Sequence, residues 1–292
     1  RARRLALIQE KAEALATDEG LVLVDDAGLL AEVAGLVEWP VPLMGQIDDE
    51  FMDVPEEVLV SVMRTHQKYL ALRDSEGQLA PRFITIANIE TADKGAKIIA
   101  GNERVLRARL SDARFFWDED RKKNLSARKP ELEKVTFHAK LGTVSDKTDR
   151  IEKLVAYFSE IESSFSFEDL SQNASDEVAS EAAALCKADL VTGMVYEFPE
   201  LQGIMGGYYA ALQLGDNKVG NAIRDHYKPL GPNDAIPATS EGRLVAMADK
   251  MDTLAGFWLI DELPTGSKDP YALRRASLGI IRMLIEGGRR LN

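Results

Sequence analysis

Strand-type hydropathy is confined to the first third of this 292-residue chain. Up to about Lys94, helical spacing alternates with short apolar runs bounded by turn residues, and beyond it every apolar pattern has a helical period. Such patterning predicts an α+β region followed by an all-α one, and the length accommodates two cores. In the first part, Arg1 to Thr17 and Leu29 to Val37 read as helices, with the short run Leu21 to Val24 between them. Pro40 and Pro42 frame an extended stretch through Ile47. Pro55 opens a helix from Glu56 to His66 as a first-turn proline. Tyr69 to Arg73, the turn Asp74 to Gly77, and Arg82 to Ala87 read as a β-hairpin.

A long helix is predicted over Ala96 to Asp120. Further helices follow at Asp146 to Ile161, Ser175 to Tyr196, Leu201 to Leu212, Lys218 to His226, Glu241 to Ile260 and Pro270 to Glu286. Ser163 to Ser175 and the proline-rich Leu230 to Thr239 read as connectors. The domain boundary is placed between residues 135 and 136. Apolar runs are interrupted by charge well before the ~20 residues of a membrane helix. The lone Cys186, in an apolar stretch, reads as a small core residue in a reducing compartment, so a cytoplasmic protein is expected. The first residue is Arg1 rather than methionine, and the chain is expected to be an internal piece of a longer protein.

The formal net charge of −12 argues against a protein coated in basic charge for sequence-blind nucleic-acid binding. The total hides an uneven distribution. Residues 101–150 hold thirteen Lys/Arg against nine Asp/Glu, whereas residues 151–200 hold two against eleven. On a helix turning about 100° per residue, Arg104, Arg107, Arg114 and Arg121 share one stripe, and Leu106, Leu110, Ala113 and Trp117 occupy the adjoining face. Guanidinium groups in this arrangement can follow a phosphate backbone. They can equally form a solvated face paired with Glu103, Asp112, Asp118 and Asp120, and Lys122 and Lys123 complement the helix dipole at its end.

Other chemistry is sparse in the sequence. His66, His138 and His226 show no HxxxH or His-Asp spacing, and one cysteine cannot build a CxxC zinc site. A metal could be assembled from His138, Asp189 and Asp249 only if three helices converge. There is no GxSxG, P-loop or strand-turn-helix GxGxxG. Gly266-Ser267-Lys268 precedes the helix carrying Arg274 and Arg275. It reads either as an anion contact at a helix N-terminus or as a loop ended by Asp269 as N-cap and Pro270 as first helical residue. The glycines of Glu197 to Tyr209 read as close-packing positions.

Ordered stretches along nearly the whole chain carry a family resemblance. They include Val37-Glu38-Trp39-Pro40, Met63 to Tyr69, Arg82 to Asn88, Gly101 to Leu106, Asp112 to Phe116, Lys140 to Thr143, Lys187 to Thr192, EFPELQGIMG and PTGSKDPYALRR. In these the chain resembles the β subunit of the bacterial heterotetrameric glycyl-tRNA synthetase. The resemblance implies a non-catalytic part of a glycine-tRNA ligase that supports recognition of tRNA(Gly) and α2β2 assembly. The active site, with ATP and Mg2+, is then expected on the α subunit, with no cofactor in this piece. The first part would be the end of a B3/B4-like module, similar to that of the phenylalanyl-tRNA synthetase β subunit. Residues 136–292 would be an HD-domain-like helical domain, the fold of metal-dependent phosphohydrolases.

On the HD pattern His138 stands at the first position, Ala188 and Asp189 at the paired position, and Asp249 at the distal one. Ala188 replaces a histidine, which implies a degenerate domain without a metal. Arg104, Arg107, Arg114, Lys122, Lys123, Lys268, Arg274 and Arg275 are the candidate contacts to tRNA or to the α subunit. Two alternatives accompany this reading: an HD-type metal-dependent phosphohydrolase, and a structural module whose acidic surface docks a basic partner.

Overall fold

The computed structural model of the chain describes residues 1–160 and 175–287. Nearly all of the connector expected over Ser163 to Ser175 lies outside them. Two compact units are present, Arg1–Asp118 and Glu119–Asn292. The division falls inside one helix, ahead of the 135/136 boundary drawn from the sequence. Its physical basis is Asp120, whose carboxylate accepts from Arg128, from the amides of Gly193 and Met194, and from the Tyr209 hydroxyl, all in the helical unit.

The first unit is α+β. Helices α1 (Ala2–Asp18) and α2 (Ala27–Leu36) accompany an antiparallel sheet of β1 (Val22–Leu23), β2 (Val41–Gln46), β3 (Leu70–Arg73) and β4 (Leu79–Ala87), in the order β1-β3-β4-β2. Strands β3 and β4 form the expected hairpin, and Asp74 Oδ1 fixes its turn by accepting from the amides of Glu76 and Gln78. Ile8, Ala12 and Ala16 of α1 and Leu30 and Val33 of α2 join Leu70, Leu72 and Ile84 of the sheet in one core. Asp26 caps α2 by accepting from the Leu29 amide, and Arg64 binds the same carboxylate. The helix predicted over Glu56 to His66 is present as α3 (Glu56–Ser61), running into a π-helical turn at Val62–Gln67. Neighbouring β4 residue Phe83 stacks on Tyr69 with ring centroids 4.5 Å apart, and the Tyr69 hydroxyl donates to Asn102 of α4 (Ala96–Asp120).

The second unit is helical around α10 (Ser240–Leu259), which is packed by α5 (Val144–Glu160), α6 (Asp176–Leu185), α9 (Asn217–Asp225) and α11 (Leu273–Glu286). The patterning misses two features here. A small antiparallel hairpin, β5 (Thr136–His138) with β6 (Gly142–Thr143), precedes α5. Its strands are too short to display an alternating pattern, and a positive-φ glycine, Gly142, starts the return strand. The helix expected over Ser175 to Tyr196 is also broken. After α6 come a 3-10 turn at Ala188–Val191 and α7 (Gly193–Glu197), because Thr192 leaves helical geometry and caps a new start by accepting from the Val195 amide. None of the described helices is long and apolar enough to cross a membrane.

Helices α8 (Ile204–Leu214) and α9 pack through facing glycines. A Cβ on Gly207 would stand 2.7 Å from the Gly220 carbonyl oxygen, and one on Gly220 2.6 Å from the Gly207 oxygen. The obstructing atoms are backbone and cannot rotate away, so the close-packing role read from the sequence holds. Gly220→Ala is therefore expected to lower stability by about 1–3 kcal/mol through overpacking. Urea unfolding of the variant beside the parent chain measures this.

Candidate functional site

The long helix α4 presents its two faces as its spacing predicts. Leu106, Leu110, Ala113 and Trp117 are buried, and the arginines lie outside them. Two of those arginines, Arg107 and Arg114, already have acidic partners. Arg107 grips both carboxylate oxygens of Asp48, holding that carboxyl below its ordinary range. Arg114 sits among Glu50, Asp53 and Asp118. Lys122 pairs with Glu119, and Lys123 with Glu131. The acids that answer this face come mainly from the segment after β2, which helical spacing cannot reveal. Of the expected partners, Asp120 turns to the helical unit, and Glu103 accepts from the Gln46 amide. Arg104 is exposed and, among the described residues, has no hydrogen bond or ion pair.

In the helical unit, Lys268, Arg274 and Arg275 are all exposed. The loop before α11 departs from its expected form. Asp269 is not the N-cap and Pro270 is not in the helix, because Ala272 adopts a left-handed conformation and α11 begins at Leu273. From four and five residues upstream, the Asp269 carboxylate accepts from the Leu273 and Arg274 amides. Those amides therefore already have an anion, and Lys268 instead closes a turn with Thr265. The basic side chains remain the available groups: Arg274 and Arg275 line an open cleft of about 680 Å³ against the loop Pro229 to Pro232.

The residues at the HD positions lie in different settings. His138 packs edge-on against Phe257 and Tyr271, and its Nδ1 accepts from the Lys140 amide. Ala188 is buried. Asp189 is fully buried, with Oδ2 accepting from the Gly203 and Gly206 amides and Oδ1 without a partner. Burial pushes its pKa up to about 6 despite those amides. Asp249 is bound by two ammonium groups, Lys147 Nζ at 2.9 Å and Lys187 Nζ at 3.0 Å. Burial alone would raise its pKa, but the two lysines more than offset that and hold it well below the usual carboxylate range.

At Asp249 the centre presents cations where an HD hydrolase would hold a metal. Lys187 also donates to His226 Nε2 at 2.8 Å, while His226 Nδ1 faces the Ile223 carbonyl oxygen. The imidazole is thus neutral, held so by burial and by Lys187, and its one lone pair is already engaged. An HD-type metal needs free carboxylate oxygens and an imidazole lone pair; at Asp249 and His226 ammonium groups engage them. Among the described residues no three His, Cys, Asp or Glu side chains form a group able to hold a metal ion. The His138, Asp189 and Asp249 alternative finds no support in this arrangement: internal lysine cations stand against Asp249. Lys147 further binds Asp252 and Thr253, and Arg150 binds Asp252 from outside. Sequence reading passed over Lys147, Lys187 and Asp252 as site residues and set His226 aside on spacing. The available signal was that Asp249, Lys250 and Asp252 are the charged residues of an otherwise largely apolar run from Leu244 to Leu259.

Two outcomes follow. Lys187→Met leaves the buried Asp249 with half its compensation and is expected to lose about 3–5 kcal/mol in urea unfolding. Asp189 titrates in the opposite sense to Asp249. A folded-state pKa raised from 3.8 to about 6 means its contribution is fullest below pH 3.8 and is lost as pH rises through 6. Asp189→Asn keeps an acceptor for both amides and removes that loss. Its stability relative to the parent is expected to improve by on the order of 2–3 kcal/mol between pH 4 and 7, read from urea midpoints across pH.

The sequence profile described as glycyl-tRNA synthetase beta subunit matches residues 1–292. The glycine–tRNA ligase beta subunit of Rhodospirillum centenum is 56% identical over 290 residues, covering 99% of this chain and 40% of that protein. That of Phenylobacterium zucineum is 55% identical over 290 residues, with 97% and 42% covered. That of Paracoccus denitrificans is 50% identical over 295 residues, with 100% and 42% covered. The chain spans about two-fifths of the length of the curated relatives it matches. Matched from end to end by this one profile, the chain belongs to the glycyl-tRNA synthetase beta subunit family.

Proposed function

We propose that this chain is the part of a cytoplasmic glycine-tRNA ligase that holds and positions tRNA(Gly), working with an α subunit that carries the active site, ATP and Mg2+. The observation that carries the reading is the end-to-end family match, with relatives named glycine–tRNA ligase beta subunit at 56% and 55% identity. Local charge supports it. A polyanion meets a face rather than a sum, and a net −12 chain still offers exposed cations on α4 and at the start of α11. Cations without acidic partners are the better phosphate contacts, because a pair such as Arg107 with Asp48 must first be broken. Arg104, Arg274 and Arg275 therefore rank ahead of Arg107, Arg114, Lys122 and Lys123, and Lys268 stands beside them.

Filter binding of tRNA(Gly) across a salt series tests this. Arg104→Glu is expected to weaken binding about threefold to tenfold and to flatten the salt dependence by about one phosphate contact. Arg107→Glu changes affinity less and loses its anchor to Asp48. A chain that binds tRNA(Gly) no better than an acidic protein of similar size, and that leaves charging by the α subunit unchanged, overturns the proposal.

A further inference from the structure

We propose that the cleft between the Pro229–Pro232 loop and α11 is a binding site for one unpaired nucleotide of an RNA strand, its phosphate held by Arg274 and Arg275. The inference rests on the proposed function and gives it a specific place. The cleft, about 680 Å³, is of the size that admits a small ligand or a single nucleotide. Much of its wall is apolar: Pro229, Leu230, Pro232 and Leu278 line it, and both leucines are 60% exposed; Asp269 also lines it, with its two oxygens taken by the Leu273 and Arg274 amides. At its edge the guanidinium groups of Arg274 and Arg275 have, among the described residues, no acidic partner and no acceptor. Unpaired guanidinium groups beside an uncovered apolar surface match the two halves of a nucleotide, an anionic phosphate and a flat base that stacks on apolar groups.

The rest of the cleft explains why a nucleotide fits better than an acidic peptide. A peptide laid along this loop would be held by backbone hydrogen bonds, and several of the loop's backbone groups are engaged. Arg282 donates to the carbonyl oxygens of Gly231 and Asp234 while pairing with Glu286, and the Leu230 amide donates to Asp234. The α11 amides are likewise held by Asp269. What the cleft presents is side-chain charge and apolar surface. Among the described residues no Asn or Gln lines it to read base edges, so the site is expected to accept any base. A base already stacked in a duplex cannot enter, which makes the site selective for single strands or splayed-out nucleotides.

The test measures anisotropy of the chain with a fluorescein-labelled single-stranded RNA hexamer of mixed sequence, at 50 and 200 mM salt. A 12-base-pair RNA duplex and a decaglutamate peptide serve as competitors. The parent chain is expected to bind the hexamer at least fivefold more tightly than the duplex. Arg274→Glu with Arg275→Glu should weaken the hexamer at least tenfold, and the milder Arg274→Gln with Arg275→Gln should lower the salt slope by roughly 0.7 for each phosphate no longer neutralised. Leu230→Asp, which changes an exposed side chain, should weaken the hexamer at least threefold without lowering the thermal midpoint. Crosslinks from a 4-thiouridine hexamer should map to residues 229–232 and 274–282. Equal affinity for duplex and hexamer, a double charge reversal within twofold of the parent, or displacement by decaglutamate as efficient as by unlabelled hexamer overturns the site. Binding of tRNA(Gly) is measured in parallel. A chain that binds tRNA(Gly) but not the hexamer overturns the cleft alone, and one that binds the hexamer through Arg274 and Arg275 but not tRNA(Gly) overturns the proposed function alone.

Discussion

One carboxylate shared between two buried ammonium groups organises the helical unit. Asp249 lies on α10, Lys147 on α5, and Lys187 between α6 and the 3-10 turn that follows it. Lys187 reaches on to His226 at the end of α9, and Lys147 to Asp252 one turn along α10. Four helical segments therefore meet through charges removed from water. Such a group of ions is stable only when each charge keeps a partner, so the positions of these helices are tied to one another. The same ammonium groups set the chemistry of the centre. By engaging the Asp249 carboxylate and the His226 lone pair, they take up donors that a metal held at those two residues would require.

The first unit and the basic side chains of both units follow a different logic, in which exposure and pairing decide what a cation can do. Arg107 and Arg114 lie on the helical stripe that spacing predicts, yet the segment after β2 brings Asp48, Glu50 and Asp53 to them. In the helical unit, Arg282 braces the cleft wall, whereas Arg274 and Arg275, eight and seven positions earlier on the same helix, remain open. Identical residue types thus divide into structural cations and available ones. The division depends on whether an acid or a carbonyl oxygen comes within reach, and a count of Lys and Arg cannot express it.

Much of the fold is legible before any coordinates. The β3–β4 hairpin, the amphipathic α4 with Leu106 and Leu110 inward, and the close-packed glycines of α8 follow from local pattern and turn chemistry. The misses have local causes as well. Strands β5 and β6 are shorter than any alternation a pattern can show. The break after Cys186 is made by Asp189 and Thr192, whose buried contacts compete with the helix ladder. Asp269 caps α11 at a distance because Ala272 is left-handed, a conformation that propensity does not anticipate. The candidate contacts were legible as residue types, but their partners were not.

By itself, the sequence determined that an α+β part precedes a helical part, that α4 buries one face and charges the other, and that ordered motifs along the chain mark a single family. Those properties are local or cumulative along the chain, so period, composition and motif order reveal them. Only the tertiary structure decided that Lys187 sits against Asp249 and His226, that Asp48 answers Arg107, and that Arg274 and Arg275 open onto an apolar cleft. These juxtapositions join residues distant in sequence, and a charge acquires its role from what the folded chain brings within a few ångströms of it.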